Sequence, residues 1–231
     1  KEKIYFIPGL MTNERLWSRV LPRIESDFEI IHLNIPRSTN FDEINKILFE
    51  NIKDEKVNLL GFSLGGYIAS YFAIKFPFRV KRLFMLSSTP AKTSDIELAR
   101  RREKLEFAKI SNDISLDIKK AKTLVEEQNR DDIELLEIIV TMFNEMGKDE
   151  FISQLESTFN REDLSQHLKN LNIPVTMFYS SDDRLLDDEA IKKLENEKHN
   201  INIIKRVGTS HNIPLEFPEE LEKKVKKWMN N

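Results

Sequence analysis

The chain has 231 residues, 40% of them apolar, with no cysteine and 36 Lys and Arg against 39 Asp and Glu for a formal net charge of -3. That length suits one large α/β domain and is short for two, and the lack of thiols excludes disulfides, thiolate metal sites and thiol catalysis. The mixed, slightly acidic charge argues against a dedicated binder of nucleic acid or anionic membrane, no apolar run has the length of a membrane span, and the first residues lack the basic-then-apolar layout of a secretion signal, so the expectation is a cytoplasmic protein.

Lys3-Ile4-Tyr5-Phe6-Ile7 is an apolar and aromatic run stopped by Pro8-Gly9, which reads as a buried strand leading into a turn. A loop covers 10–13, and the spacing predicts a helix over 14–24 in which Trp17 packs rather than binds. Residues 28–33 form a second strand closed by Pro36, with His32 as a hydrogen-bonded structural histidine. Helical spacing over 41–53 puts Phe41, Ile44, Ile47 and Leu48 on one face. This helix delivers the chain to the run Val57-Asn58-Leu59-Leu60, a strand that breaks at Gly61-Phe62-Ser63-Leu64-Gly65 and continues as a small-residue helix. G-x-S-x-G between strand and helix is a nucleophile elbow. The turn is tight enough to strain the serine backbone, side chains two residues either side would collide across it, and Gly61 and Gly65 remove them.

Phe76-Pro77 ends that helix, and 80–86 makes the next strand. Strands alternating with helices at this interval predict parallel crossovers, hence an α/β fold whose mostly parallel central sheet is covered by helices on both faces. The rhythm stops from Ser87 to about Lys169. Helical spacing recurs over 96–110, 114–128, 133–146 and 151–159, with Gly147 as a separator, so 88–169 is expected to be a helical cap inserted into a single domain of 1–231. Arg100, Arg101 and Arg102 read first as solvated surface, with Arg102 a candidate substrate contact. Met142, Phe143 and Met146 read first as core, with Met142 a second candidate contact. A strand over 173–179 runs into Ser180-Ser181-Asp182-Asp183, a helix follows over 188–197, and the last strand, 202–207, ends in Gly208-Thr209-Ser210-His211. An amphipathic helix over 218–229 closes the chain.

A serine hydroxyl needs a base within hydrogen-bond reach, itself oriented by a third group. Of the four histidines, His32 lies inside a strand pattern, His167 follows the cap and His199 sits in a charged helix end. His211 follows the final strand directly, at the sheet edge where the elbow emerges. Asp182 and Asp183 follow the preceding strand in the same way, and Asp183 is favoured, Asp187 and Asp188 being placed to cap the next helix. The order Ser63, Asp183, His211 is the one an elbow of this kind uses. Leu64 N–H is one oxyanion donor. The turn after the first strand supplies the second, for which Leu10 N–H is preferred over that of Met11, leaving Met11 a candidate substrate contact. There is no G-x-G-x-x-G, no Walker loop and no His/Asp/Glu ligand spacing, so no metal and no cofactor are expected.

Together Pro8-Gly9-Leu10-Met11 with Arg15-Leu16-Trp17, Gly61-Phe62-Ser63-Leu64-Gly65-Gly66, Asp183, and Gly208-Thr209-Ser210-His211 with Pro218-Glu219 resemble an α/β-hydrolase of the compact, cap-bearing kind, over nearly the whole chain. The family commonly carries His-Gly where this chain has Pro8-Gly9, a departure that keeps the amides and loses a side chain that could hold the loop. Phe151, Gln154 and Arg161-Glu162-Asp163 resemble one branch of the family. The elbow is also similar to that of bacterial pimeloyl-carrier-protein methyl esterases, though it is too common to select a substrate. The resemblance implies hydrolysis of a small to medium carboxylic ester, with no nucleic-acid or membrane partner. C–C bond hydrolases and lyases share the triad, and a non-catalytic receptor on a hydrolase scaffold is a third reading that an intact triad disfavours.

Overall fold

The computed structural model describes residues 1–197 and 200–231. Among them, six runs rich in Ile, Val, Leu, Phe and Tyr form strands: β1 Glu2–Ile7, β2 Phe28–His32, β3 Val57–Phe62, β4 Val80–Leu86, β5 Val175–Ser180 and β6 Ile201–Arg206. They make one sheet in the order β2-β1-β3-β4-β5-β6, and every pairing is parallel. A parallel sheet requires crossovers, and the crossovers cover both faces, so its central strands are apolar on both sides. Successive residues accordingly enter two separate cores. Ile4, Phe6, Leu60, Phe62, Phe84, Leu86 and Phe178 face one; Tyr5, Ile7, Leu59, Leu83, Met85 and Met177 face the other.

The longer helices are α1 Phe41–Asn51, α2 Leu64–Lys75, α3 Asp95–Ile110, α4 Ile133–Ser157, α5 Asp188–Asn196 and α6 Pro218–Met229. Phe41, Ile44 and Leu48 of α1, Tyr67, Ile68 and Phe72 of α2 and Leu194 of α5 cover the second core. Leu221, Val225 and Trp228 of α6 cover the first, where Trp228 meets Phe84 edge to face with ring centres 5.4 Å apart. Truncating such a buried aromatic costs about 3–5 kcal/mol. Asn40 caps α1 by accepting Glu43 N–H, and Asp42 and Glu43 in the first turn complement the helix dipole.

Between β4 and β5 the chain forms helices joined by turns and irregular stretches, with no strand among its described residues. The two ends of this stretch are stapled together: Leu164 N–H donates to the Pro90 carbonyl at 2.9 Å, Thr93 Oγ1 to the Thr158 carbonyl at 3.0 Å, and the Arg161 guanidinium to the carbonyls of Thr89 and Ala91. Burial pushes Arg161 down to about 10. Its side chain also stacks on the Tyr67 ring at 4.2 Å.

Several boundaries differ from the sequence expectation. The helix expected over 14–24 is a 3-10 turn, Glu14–Trp17, and a separate short helix, Leu21–Ile24, because Pro22 has no N–H to continue a ladder and sits at the start of a new one. The helix expected over 114–128 is broken into Ile118–Ala121 and single turns at Lys122–Leu124 and Glu127–Asn129, with Val125 and Glu126 extended between them. The span 133–157 holds two helices that meet at Gly147, the separator expected, where φ 78° and ψ 175° break the helical backbone. The short helices Ser165–Lys169 and Ile213–Glu216 hold too few turns to show a periodicity. Trp17 is 1% exposed and packs on Phe6 with the rings tilted and their centres 4.6 Å apart; its indole N–H donates to His32 Nδ1 at 3.2 Å, and burial lowers the pKa of His32. His167 is exposed, and His199 lies outside the described residues.

Candidate active site

β3 runs straight into the elbow. Ser63 has φ 53° and ψ -117°, a conformation that costs an L-residue about 1–3 kcal/mol and persists only where its surroundings enforce it. The enforcement is visible. Ser63 N–H donates to the Leu86 carbonyl at 2.9 Å and its carbonyl accepts Gly66 N–H at 2.9 Å, while Ser88 Oγ donates to the same carbonyl at 2.8 Å. A Cβ on Gly61 would stand 2.1 Å from the Gly65 carbonyl oxygen, and one on Gly65 would stand 2.1 Å from that of Pro8. The elbow is therefore wedged against both its own turn and the end of β1.

The structure brings Ser63, His211 and Asp183 together from the ends of three strands. His211 Nδ1 lies 2.6 Å from Asp183 Oδ2, and the carboxylate can only accept, so Nδ1 carries the proton. That leaves the lone pair of Nε2 facing Ser63 Oγ at 3.0 Å, accepting its hydroxyl proton. The Asp183 side chain is 1% exposed, and its other oxygen accepts Leu185 N–H at 3.0 Å. The Phe62 ring packs 5.1 Å from the imidazole. Asp182 points elsewhere: its carboxylate accepts Ser181 Oγ on the surface.

The turn after β1 is closed on itself. Gly9 N–H donates to Thr12 Oγ1 at 2.8 Å and Thr12 N–H to the Gly9 carbonyl at 3.2 Å. Met11 is held left-handed, φ 55°, and its N–H donates to Gln154 Oε1 at 2.7 Å. The Met11 amide is thus committed. Leu10 N–H and Leu64 N–H donate to no described residue, so two backbone donors beside the elbow are uncommitted, the second as the first amide of a helix.

The other candidate contacts fare differently. Met11 is 4% exposed, in the loop beside the elbow. Met142 is 1% exposed and packs in the core with Leu135, Leu136 and Ile139. Arg102 is exposed and lies over the Phe159 ring at 5.6 Å; Arg101 pairs with Glu97. Among the described residues no three His, Asp or Glu side chains gather as metal ligands, and no described helix is long and apolar enough to cross a membrane.

Sequence reasoning missed the residues that hold the site together. Ser87 Oγ donates to the His211 carbonyl at 2.8 Å and Ser88 Oγ grips the elbow; both follow β4, the strand between those of the nucleophile and the carboxylate, and their position at that edge was the available signal. Glu126, which binds the histidine loop, gave none, because it looked like one more charge on a helix.

Comparison with known proteins agrees with this architecture. Residues 4–109 match the family model described as alpha/beta hydrolase fold. The chain is 25% identical over 206 residues to a pimeloyl-[acyl-carrier protein] methyl ester esterase of Legionella pneumophila (strain Lens), covering 83% of this chain and 80% of the relative. It is 23% identical over 237 residues to the protein of the same name from Yersinia enterocolitica, covering 96% and 91%. A thermophilic esterase from Thermogutta terrifontis superposes with a TM-score of 0.83 at 17% identity, over 100% of this chain and 90% of that one.

Proposed function

Because the chain is an alpha/beta hydrolase by fold, we propose that it is a serine-dependent carboxylic ester hydrolase in which Ser63, His211 and Asp183 form the triad. The observation that carries this reading is the unbroken line from Asp183 Oδ2 through His211 to Ser63 Oγ, at 2.6 and 3.0 Å, beside two uncommitted amides. Ser63 Oγ attacks the ester carbonyl carbon as Nε2 takes the hydroxyl proton. Negative charge grows on the carbonyl oxygen, where Leu10 N–H and Leu64 N–H receive it; losing one such donor costs about 3 kcal/mol of transition-state stabilisation. Asp183 keeps the imidazole in the correct tautomer and stabilises the imidazolium. The intermediate collapses when Nε2–H protonates the departing alcohol oxygen, which leaves an acyl group on Ser63. Water, deprotonated by Nε2, then releases the acid and restores the hydroxyl.

The helical segment 88–169 is read as a cap, since the Gln154 contact ties it to the loop that carries Leu10. The curated relatives named for a carrier-protein methyl ester support an ester with a small alcohol as substrate class. Steady-state hydrolysis of p-nitrophenyl acyl esters and of a carrier-protein methyl ester by the wild-type protein, with Ser63→Ala as control, tests the proposal. Turnover that Ser63→Ala abolishes supports it; turnover that persists in the variant, or none on any ester, rejects it.

A further inference from the structure

Residue 210, immediately before the histidine, has all its polar atoms engaged. Its carbonyl accepts Ser180 Oγ at 2.6 Å, its hydroxyl donates to Glu216, and its N–H donates to Glu126 Oε1 at 2.9 Å. The same oxygen of Glu126 accepts Thr209 N–H at 2.8 Å and Arg206 Nη1 at 2.7 Å. Arg206 Nη1 also donates to Ser180 Oγ at 3.0 Å, which closes a ring of buried contacts around the loop. Gly208, with φ 141°, makes room: a Cβ there would stand 2.2 Å from Glu126 Oε1. Glu126 is fixed in turn, since its own N–H donates to Glu216 Oε1 at 2.7 Å and its second oxygen accepts Gln128 Nε2 at 2.9 Å.

Glu126 does not belong to the sheet. It sits in the extended break of the β4–β5 segment, and it is 8% exposed. A carboxylate accepting two consecutive amides is an anchor for the backbone that presents the next side chain. We infer that Glu126 is a positioning residue for His211: through Thr209 and Ser210 it fixes the loop so that Nε2 meets Ser63 Oγ, and it makes the base depend on the segment between β4 and β5. The inference rests on the hydrolase reading for its kinetic consequence, and on geometry alone for the state of the imidazole.

Three variants separate positioning from mere packing. Glu126→Gln keeps an oxygen for the two amides and removes the buried one of the two carboxylates beside Arg206, leaving the more exposed Glu220 at 3.2 Å; Glu126→Asp keeps the charge and withdraws the oxygen by one methylene; Glu126→Ala removes both. A buried arginine is the group that suffers most from losing its charge partner. Glu126→Gln should therefore show the lowered melting temperature yet retain most of kcat, whereas Glu126→Asp should lose kcat by roughly 10²-fold with KM little changed, the effect of misplacing a catalytic group by about 1 Å. Glu126→Ala should show both losses; if it does not fold, the Gln and Asp pair decides. The second readout is the downfield proton NMR signal of His211 Nδ1–H, which needs no substrate: it should persist in Glu126→Gln and broaden away in Glu126→Asp. If kcat instead follows melting temperature across the variants, or the imidazole signal is the same in all, Glu126 has no positioning role. An unchanged protein that shows the imidazole signal but turns over no ester would overturn the hydrolase reading and leave this inference standing.

Discussion

The side-chain carbonyl of Gln154, on α4, accepts the N–H of Met11 at 2.7 Å. Gln154 is 4% exposed, and Met11 sits in a left-handed conformation that costs a non-glycine residue about 1–2 kcal/mol. The bond therefore holds a strained turn and engages the Met11 amide, which leaves the amide of Leu10 as the donor proposed for the oxyanion. Gln154→Ala should lower kcat about tenfold with KM little changed, while Gln154→Glu, which keeps an acceptor, should recover most of it. Steady-state kinetics on one ester checks this; a rise in KM at constant kcat would assign Gln154 to ground-state binding instead.

Asp183 and Asp182 are neighbours in sequence with opposite surroundings. The Asp183 side chain is 1% exposed and bound to His211, whereas that of Asp182 bonds only Ser181 Oγ at the surface. Asp183→Asn presents a donor to Nδ1 and forces the wrong tautomer, so kcat should fall by roughly 10⁴. Asp182→Asn should stay within about twofold. Comparable losses in the two variants would remove Asp183 from the triad.

Gly65 tests the elbow as a packing object. A Cβ there would meet the carbonyl oxygens of Pro8 and Ile7 at 2.1 and 2.5 Å, and both belong to backbone at the end of β1 that cannot move without shifting the sheet. Gly65→Ala should cost more than about 3 kcal/mol in urea unfolding, at the upper end of the usual overpacking penalty. A near-wild-type midpoint would show that the approach of the elbow to β1 is looser than described.

The prediction from pH concerns Glu216. Burial raises its pKa, and the neighbouring Glu126 carboxylate raises it further. A carboxyl whose folded pKa lies above its unfolded value stabilises the fold below the unfolded pKa of about 4.3, and that stability is lost as pH rises through the folded value. Glu216→Gln keeps an oxygen for the Glu126 and Asn129 donors and can donate to Ser210, without ever ionising. Its melting temperature should exceed that of the wild type at pH 8, with the two converging near pH 4. Thermal unfolding across that range measures the difference, and a gap that widened toward acid would reverse the assignment.

Much of this architecture was legible in advance because it is local. Apolar strand runs, Pro8-Gly9, the G-x-S-x-G turn and an aspartate and a histidine directly after two late strands each announce themselves within a few residues, and a parallel sheet then forces them to one edge. What was not legible is non-local. Glu126 looked like a charge on a helix over 114–128, and only its partners 80 to 84 residues away explain why that helix breaks. Ser87 and Ser88 offer only their position after β4; their meaning comes from the carbonyls of His211 and Ser63 that the fold sets beside them. Met142 shows the converse, since an apolar residue between β4 and β5 could line a pocket or fill a core, and its spacing alone does not tell that it is buried.

Covalent labelling with a fluorophosphonate, read by mass spectrometry of the intact protein and its peptides, tests the central claim most directly. The account predicts one adduct, on Ser63, absent from Ser63→Ala and much slower to form in His211→Ala. Folded protein that takes up no label, or label that persists in Ser63→Ala, would contradict it.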